Sequence, residues 1–208
     1  MAKLLYLEAS PRKDRSHSIA VANAFVEAYR EANPNDTIDK LDLWAETLPA
    51  FDGAMLDAKY AILHGGAPSG AEQAAWRTVE RVVERFASAD KYLISMPMWN
   101  FGLPYVMKHY IDIVTQPGLT FSFSPESGYA GLVSGPVAVV YASGGAYHAG
   151  SGAEAFDLQK PALEGWLAFV GLTDVTRIVV APTLAAPADV EGARASAAAA
   201  AREHAARF

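Results

Sequence analysis

Short apolar runs alternate along the chain with longer stretches in which apolar residues recur every three or four positions. Leu4, Leu5, Tyr6 and Leu7 form the first run, closed by the polar, proline-containing residues 8–15, and Val21, Phe25, Ala28 and Ala32 then follow at helical spacing. This pattern predicts strand, loop and helix. Ile38, Leu41 and Leu43 predict a second strand, while residues 44–70, rich in glycine and proline, read as an irregular insertion with at most one short helix. Val79, Val82, Val83 and Phe86 mark a second amphipathic helix. Tyr92-Leu93-Ile94-Ser95-Met96 is a third strand, and Pro104 stands near the first turn of a helix carrying Val106, Met107, Tyr110, Ile111 and Val114, where proline is favoured. Residues 137–141 form a fourth strand, Leu163, Trp166, Leu167 and Val170 a further helix, and Ile178-Val179-Val180 a fifth strand. The alanine-rich residues 188–206 close the series as a helix, with Asp189 and Glu191 early and Arg202, His204 and Arg207 late, the order the helix macrodipole prefers.

Strands that alternate with helices predict the α/β class: a five-stranded parallel sheet with helices on both faces, since each parallel crossover needs a helix lying on one face or the other. With 208 residues, 51% of them hydrophobic, the chain suits a single domain spanning residues 1–208. Ligands of such sheets bind beyond the carboxyl ends of the strands, where strand order reverses. The loops after the first, third and fourth strands are therefore the places to search.

The first of these loops reads Ala9-Ser10-Pro11-Arg12-Lys13-Asp14-Arg15-Ser16-His17-Ser18 and runs into a helix. It matches neither a P-loop nor a dinucleotide fingerprint. Ser10, Ser16 and Ser18, with the free amides of the helix N-terminus, supply donors for a phosphate monoester, and Arg12, Lys13 or Arg15 could add charge. The plainer alternative is that Ser16 or Ser18 only caps the helix. The second loop, Met96-Pro97-Met98-Trp99-Asn100-Phe101-Gly102-Leu103-Pro104, sets two aromatics, an amide and a glycine between prolines. It suits a planar ring with polar edges, or equally a hydrophobic connector that buries Trp99 and Phe101. In the third, Ala142-Ser143-Gly144-Gly145-Ala146-Tyr147-His148, paired glycines allow close approach of main-chain amides, with a phenol and an imidazole nearby. Phosphate donors, a ring slot and an amide edge together are what a mononucleotide flavin needs.

Composition narrows the chemistry. The chain has 17 Lys+Arg against 23 Asp+Glu, a net charge of −6, and no long block of either sign, so no nucleic-acid partner is expected. It has no cysteine, which excludes disulfides, thiolate nucleophiles, cysteine-based zinc sites and iron–sulfur clusters. Redox chemistry would have to come from a bound cofactor. No apolar run is long enough for a membrane span or signal segment, so no membrane is expected and the cytoplasm is the default location.

The most specific segments are Glu8-Ala9-Ser10-Pro11 with Ser16-His17-Ser18, residues 96–104 leading into Lys108, and Gly171-Leu172-Thr173-Asp174-Val175. Through them the sequence resembles, over nearly its whole length, the FMN-dependent NADH azoreductases, also described as NADH:quinone reductases, of the flavodoxin-like fold. The resemblance implies FMN as cofactor, NADH or NADPH as co-substrate, a quinone or azo acceptor, two-electron ping-pong hydride transfer, and a homodimer with sites at its interface. It implies that Ser10, Ser16, His17 and Ser18 hold the FMN phosphate, that Met98, Trp99, Asn100 and Phe101 line the isoalloxazine, and that Ser143, Gly144 and Gly145 meet its pyrimidine edge. Phe123 and Phe169 resemble positions lining the substrate side, with two core phenylalanines as the alternative, and Tyr147 and His148 are the candidates for stabilising or protonating reduced species. Residues 117–132, with alternating Phe121 and Phe123, read as a long loop forming an acceptor-side wall. Two departures stand out: Trp99 replaces a tyrosine common in the family, and Ala142-Ser143-Gly144-Gly145 replaces Ser-Arg-Gly-Gly, removing a hydroxyl and a cation. A non-enzymatic electron carrier of the flavodoxin type and a flavin-free phosphate-binding domain remain the alternative readings.

Overall fold

In the computed structural model, which describes every residue except Gly65, Ala67 and Pro68, the five apolar runs become the strands of one parallel sheet. The elements in chain order are β1 (Lys3–Glu8), α1 (His17–Ala32), β2 (Thr37–Asp42), α2 (Gly53–Leu63), α3 (Gly70–Ala87), β3 (Lys91–Pro97), α4 (Tyr105–Val114), β4 (Phe121–Ser124), β5 (Gly128–Gly131), β6 (Val137–Ala142), α5 (Gln159–Val170), β7 (Val175–Val180) and α6 (Pro187–Ala205). The sheet order is β2-β1-β3-β6-β7. The chain winds outward from β1 to β2 and then returns to place β3 on the other side of β1, so the order reverses between β1 and β3.

Alternation along each strand sorts side chains onto two faces. Leu5, Leu7, Ile94, Met96, Val139 and Tyr141 pack on one side against Phe86 of α3, Met107, Tyr110 and Ile111 of α4, and Leu163 and Leu167 of α5. Leu4, Tyr6, Leu93, Val140 and Ile178 pack on the other against α1 and α6. The alanines of the last helix belong to this second face. Ala197, Ala201 and Ala205 recur at a four-residue spacing and are buried against Val21, Phe25 and Tyr29 of α1, where small side chains let two helices approach closely.

Two segments depart from the sequence pattern. The insertion between β2 and α3 is largely ordered: α2 is capped by Asp52, whose carboxylate accepts from Met55 N–H at 3.2 Å, and it buries Met55 and Ala58 beside Trp76, Val79 and Val83 of α3. The remainder of that expected insertion, at Gly65, Ala67 and Pro68, lies outside the described residues. Residues 117–132 are a two-stranded antiparallel hairpin, not the long loop expected, with Phe123 opposite Tyr129 and Phe121 opposite Gly131. Among the described residues, no helix is long and apolar enough to cross a membrane.

The edge strand β2 is tied to α3 by charge. Arg85 presents its guanidinium fork to Asp39, Nη2 at 2.7 Å and Nε at 3.1 Å, and Nη2 also donates to Lys40 C=O at 3.3 Å. Hydrogen bonding to Arg85 holds the Asp39 carboxyl below its ordinary value despite the burial that opposes it. A depressed folded pKa means that this contribution is fully present above the unfolded carboxylate value near 3.9 and is lost as pH falls through the folded value. Arg85→Met should therefore lower stability at neutral pH by about 1 kcal/mol, roughly 2–4 °C in melting temperature. The difference from wild type should vanish in strong acid. Thermal unfolding from pH 7 to pH 2 checks this, and a difference that persists at pH 2 would assign the effect to lost packing of the arginine stem.

Candidate functional site

Three loops meet where strand order reverses. Ser10, Arg12, Ser16 and His17 after β1, Pro97, Met98 and Trp99 after β3, and Ala142, Ser143 and Gly144 after β6 line one cleft at the carboxyl ends of the strands. Thr183 and Leu184, from the turn after β7, complete it. The sequence pattern did not direct attention to that turn, because only the loops after the other strands combine hydroxyl, aromatic and glycine signals.

The first loop is shaped by its own side chains. Lys13 adopts a left-handed backbone conformation, φ +49°, and its ammonium turns away from the cleft, donating to Glu8 at 3.0 Å and to Asp42. Glu8 is buried at the end of β1 and is also paired with Lys40. Burial works against the Lys13 ammonium, but its hydrogen bonds to Asp42 and Glu8 prevail and raise its pKa. Lys13 is therefore not one of the charges offered to a phosphate, as the sequence had allowed. It anchors the loop, and Arg12 stands at the cleft.

Ser16 is the N-cap of α1, its Oγ accepting from Ile19 N–H at 3.4 Å, and it also lines the cleft. The two readings of this serine, cap and ligand donor, are combined in one residue, since the hydroxyl proton stays available while a lone pair caps. Ser18 is fully buried behind it, with Ser16 and Ser18 Oγ atoms 3.1 Å apart. Ser10 Oγ accepts from Arg12 N–H at 3.4 Å. The first N–H groups of a helix have no intrahelical partner, so hydroxyls, main-chain amides and a guanidinium converge on one small volume. His17 adds an imidazole whose pKa is lowered by burial, with Arg12 and Arg194 contributing repulsion. At neutral pH it serves as a hydrogen-bonding group. This donor set fits a phosphate monoester.

The second loop makes a tight reversal. Trp99 and Gly102 exchange backbone hydrogen bonds of 3.1 and 2.9 Å, and the two residues between them, Asn100 and Phe101, both have positive φ, +48° and +68°. That conformation is common for Asn-Gly and costly for phenylalanine. Strain of this kind persists where the surroundings fix it. Here Phe101 C=O accepts from Leu158 N–H at 3.0 Å, and its ring lies 5.5 Å from Phe156 and 6.5 Å from Tyr147. Trp99 lies among Trp44 and Tyr105 at centroid distances of 5.7 and 6.2 Å, and the Trp44 indole N–H is fixed on Ala9 C=O at 3.1 Å. Trp44 had no motif to announce it. It joins the site through a contact between residues far apart in sequence.

In the third loop Ser143 turns its hydroxyl inward, donating to Gly145 C=O at 2.8 Å, while its own carbonyl accepts from Thr183 N–H at 2.9 Å. The side chain shapes the turn, in which both glycine carbonyls are occupied, Gly145 C=O by the Ser143 hydroxyl and Gly144 C=O by Leu184 N–H at 3.1 Å. Leu184 lies over Gly144 so closely that a Cβ there would fall 2.8 Å from its methyl. Tyr147 covers Gly145, whereas His148 is exposed and bonds only locally, to Ala149 C=O. The structure thus brings together Ser10, Ser16, His17, Met98, Trp99, Ser143 and Gly144, places Asn100, Phe101, Gly145 and Tyr147 at their border, and leaves His148 outside the cleft.

Phe123 and Phe169 belong to a separate aromatic group. Phe121 and Tyr129 lie 4.9 and 5.5 Å from Phe169, and Phe123 lies 4.9 Å from Tyr129. Phe123 is 60% exposed, so it is not the core residue that the plain alternative described.

Known proteins share this architecture. A family model described as flavodoxin-like fold matches residues 2–205. An FMN-dependent NADH:quinone oxidoreductase of Nitratidesulfovibrio vulgaris (strain DP4) is 52% identical over 195 residues, covering 93% of each chain. One from Desulfotalea psychrophila is 50% identical over 184 residues, covering 88% of this chain and 87% of that one. Among solved structures, an azoreductase from Bacillus anthracis str. Sterne superposes with a TM-score of 0.92 at 29% identity over the full length of both chains. An FMN-dependent NADH-azoreductase from Bacillus anthracis str. Ames Ancestor, in complex with FMN, does so with a TM-score of 0.87 at 27% identity, covering 99% of this chain and 100% of that one.

Proposed function

The chain belongs to the flavodoxin-like-fold family, and from that membership we propose that it is an FMN-dependent NADH:quinone oxidoreductase that also reduces azo compounds. The observation that carries this reading is the convergence of Ser10, Ser16 and His17 with Met98, Trp99 and Gly144 on one cleft at the reversal of strand order. FMN, when bound, supplies the two-electron relay between nicotinamide and acceptor.

The chain's own residues have four tasks. Ser16, the α1 amides, Ser10 and Arg12 bind the phosphate. Met98, Trp99, Asn100 and Phe101 back one side of the ring, and the Gly144-Gly145 backbone meets its edge, where donors stabilise negative charge. Tyr147, beside Gly145 and Phe101, is the nearer of the two candidate donors to reduced species; exposed His148 is the weaker. Phe123, Tyr129 and Phe169 lie at the end of α5 remote from this chain's own cleft, so they form the acceptor-side wall across the homodimer, at the partner's site. The exposed apolar face of the hairpin, with Phe123, Tyr129 and Leu132, supports a homodimer that covers it.

If residues 98–101 back one side of the ring, a single face would be left open, and nicotinamide and acceptor would have to take turns on it. The purified protein is expected to show an oxidised-flavin absorption spectrum, release FMN and not FAD on denaturation, and give parallel double-reciprocal plots when NADH is varied at several fixed quinone concentrations. Intersecting plots would demonstrate a ternary complex and overturn the single open face. A flavin-free spectrum that FMN addition does not restore would overturn the function itself.

A further inference from the structure

One buried polar side chain near the cleft has no role in the reading given above. Gln159, the first residue of α5, is fully buried, and its Nε2 donates to Pro97 C=O at 2.7 Å. Its other amide atom, Oε1, has no hydrogen-bond partner among the described residues. Burying an amide with one half unsatisfied costs stability, and the single bond to Pro97 C=O offsets only part of that cost. What the amide achieves is to be sought in that bond.

The position of that bond supplies the answer. Pro97 ends β3, and the next peptide N–H, that of Met98, donates to Ala142 C=O at 2.7 Å. Both polar ends of the Pro97–Met98 peptide are thus held, the carbonyl by Gln159 and the amide by β6, and the plane cannot rotate. One residue earlier, Leu158 N–H holds Phe101 C=O at 3.0 Å, and Phe156 packs its ring on that of Phe101 at 5.5 Å. The four residues 156–159, leading into α5, thereby grip the second loop at Pro97 and at Phe101, within a segment that contains two left-handed non-glycine residues. Without that grip, Asn100 and Phe101 would relax toward unstrained conformations, and Met98 and Trp99 would leave their places.

We propose that Gln159 is a positioning residue for the flavin, acting through the Pro97–Met98 peptide to hold the loop of Met98 to Phe101 in the shape that backs the ring. It touches neither cofactor nor substrate. The inference rests on the FMN reading of the site and extends it to a residue outside the cleft.

The test compares wild type with Gln159→Met, which keeps the volume and removes the donor. Measurements are the FMN dissociation constant of the apoprotein, the visible flavin spectrum and reduction potential of the reconstituted protein, and the melting temperature of both forms. The expected result is a rise of about tenfold or more in the FMN dissociation constant, with an altered flavin spectrum and potential and an apoprotein that melts within a few degrees of wild type. Should Gln159→Met fail to fold, Phe156→Ala tests the same grip: Phe156 is exposed, so its loss leaves the core intact, and a severalfold weaker FMN affinity is expected. Wild-type affinity, spectrum and potential in the folded Gln159→Met protein, or wild-type affinity in Phe156→Ala where Gln159→Met does not fold, would overturn the proposal whether or not the melting temperature falls. A wild-type protein that binds no FMN would instead overturn the functional reading beneath it.

Discussion

Ser16→Asp is expected to yield a protein that folds with wild-type stability and does not hold FMN. Aspartate is as good an N-cap as serine, so the carboxylate can take over the bond from Ile19 N–H that Ser16 Oγ accepts. It would also favour the positive end of the α1 dipole. The same carboxylate lies in the cleft beside Ser10, His17 and Arg12, where it repels a phosphate and competes for its donors. Ser16→Ala supplies the complementary case. It removes one hydrogen bond to a charged group, a loss of about 1.5–3 kcal/mol or roughly 10- to 150-fold in FMN affinity. It also removes the cap, costing about 1 kcal/mol of stability. Ser18→Ala should have the smaller effect on FMN, since Ser18 is buried behind Ser16 and acts through the Oγ–Oγ contact of 3.1 Å. Titration of apoprotein with FMN, followed by flavin fluorescence, together with thermal unfolding separates these outcomes. If Ser16→Asp bound FMN as wild type does, Ser16 would be a cap alone and the phosphate would have to bind elsewhere.

The scaffold of the site was legible in the sequence because the three strands that carry its loops, β1, β3 and β6, are buried on both faces. In β6 every residue from Val137 to Ala142 is buried, and such a run leaves no other reading than a central parallel strand once helical patterns flank it. The site's donors were legible for a different reason, in that a strand, a hydroxyl-rich loop and a helix start follow one another directly in the chain. What escaped the sequence depends on partners far apart in it. Lys13 reads as a phosphate-binding cation until Glu8 and Asp42 are seen to occupy it. Trp44 looks like an ordinary apolar residue until its indole N–H meets Ala9 C=O. Asn100 and Phe101 give no glycine to signal a left-handed turn, because tertiary contacts and not local preference impose it. The β4–β5 hairpin was hidden because Phe121, Phe123 and Tyr129 share one face that only Phe169 partly covers, so its two-residue period does not mark a buried face. α2 was legible only as one short helix without bounds within residues 44–70, because only Met55 and Ala58 are buried along it.

That hairpin is also where a single methyl group should do the most damage. Gly131 ends β5 against the end of α5, and a Cβ on it would fall 2.2 Å from Gly171 N and 2.3 Å from the Val170 carbonyl carbon. Gly171 caps α5 in a left-handed conformation, φ +106°, and a Cβ there would fall 2.3 Å from Val133 O. Both contacts are with backbone, which cannot rotate out of the way as a side chain can. The junction is closed by Val133 N–H donating to Val170 C=O at 2.9 Å. Gly171→Ala therefore combines a forbidden backbone conformation with overpacking, and a loss of about 3 kcal/mol is expected, roughly 6–12 °C in melting temperature. Gly131→Ala meets only the packing conflict and can relieve it by lifting a short, peripheral hairpin. Its expected signature is faster amide hydrogen exchange across residues 121–133 and altered acceptor specificity, since Phe121 and Tyr129 would separate from Phe169. FMN content should stay near wild type, because the hairpin contributes nothing to the cleft. The double variant should lose less than the sum of the two, as each substitution opens the gap the other needs. Phe123→Ala provides the control: removing a ring from the face assigned to the homodimer should change acceptor specificity and weaken dimerisation, with FMN content as in wild type. Loss of FMN in either hairpin variant would show that these aromatics support the cofactor, and unchanged acceptor kinetics in both would remove the hairpin from the substrate side altogether.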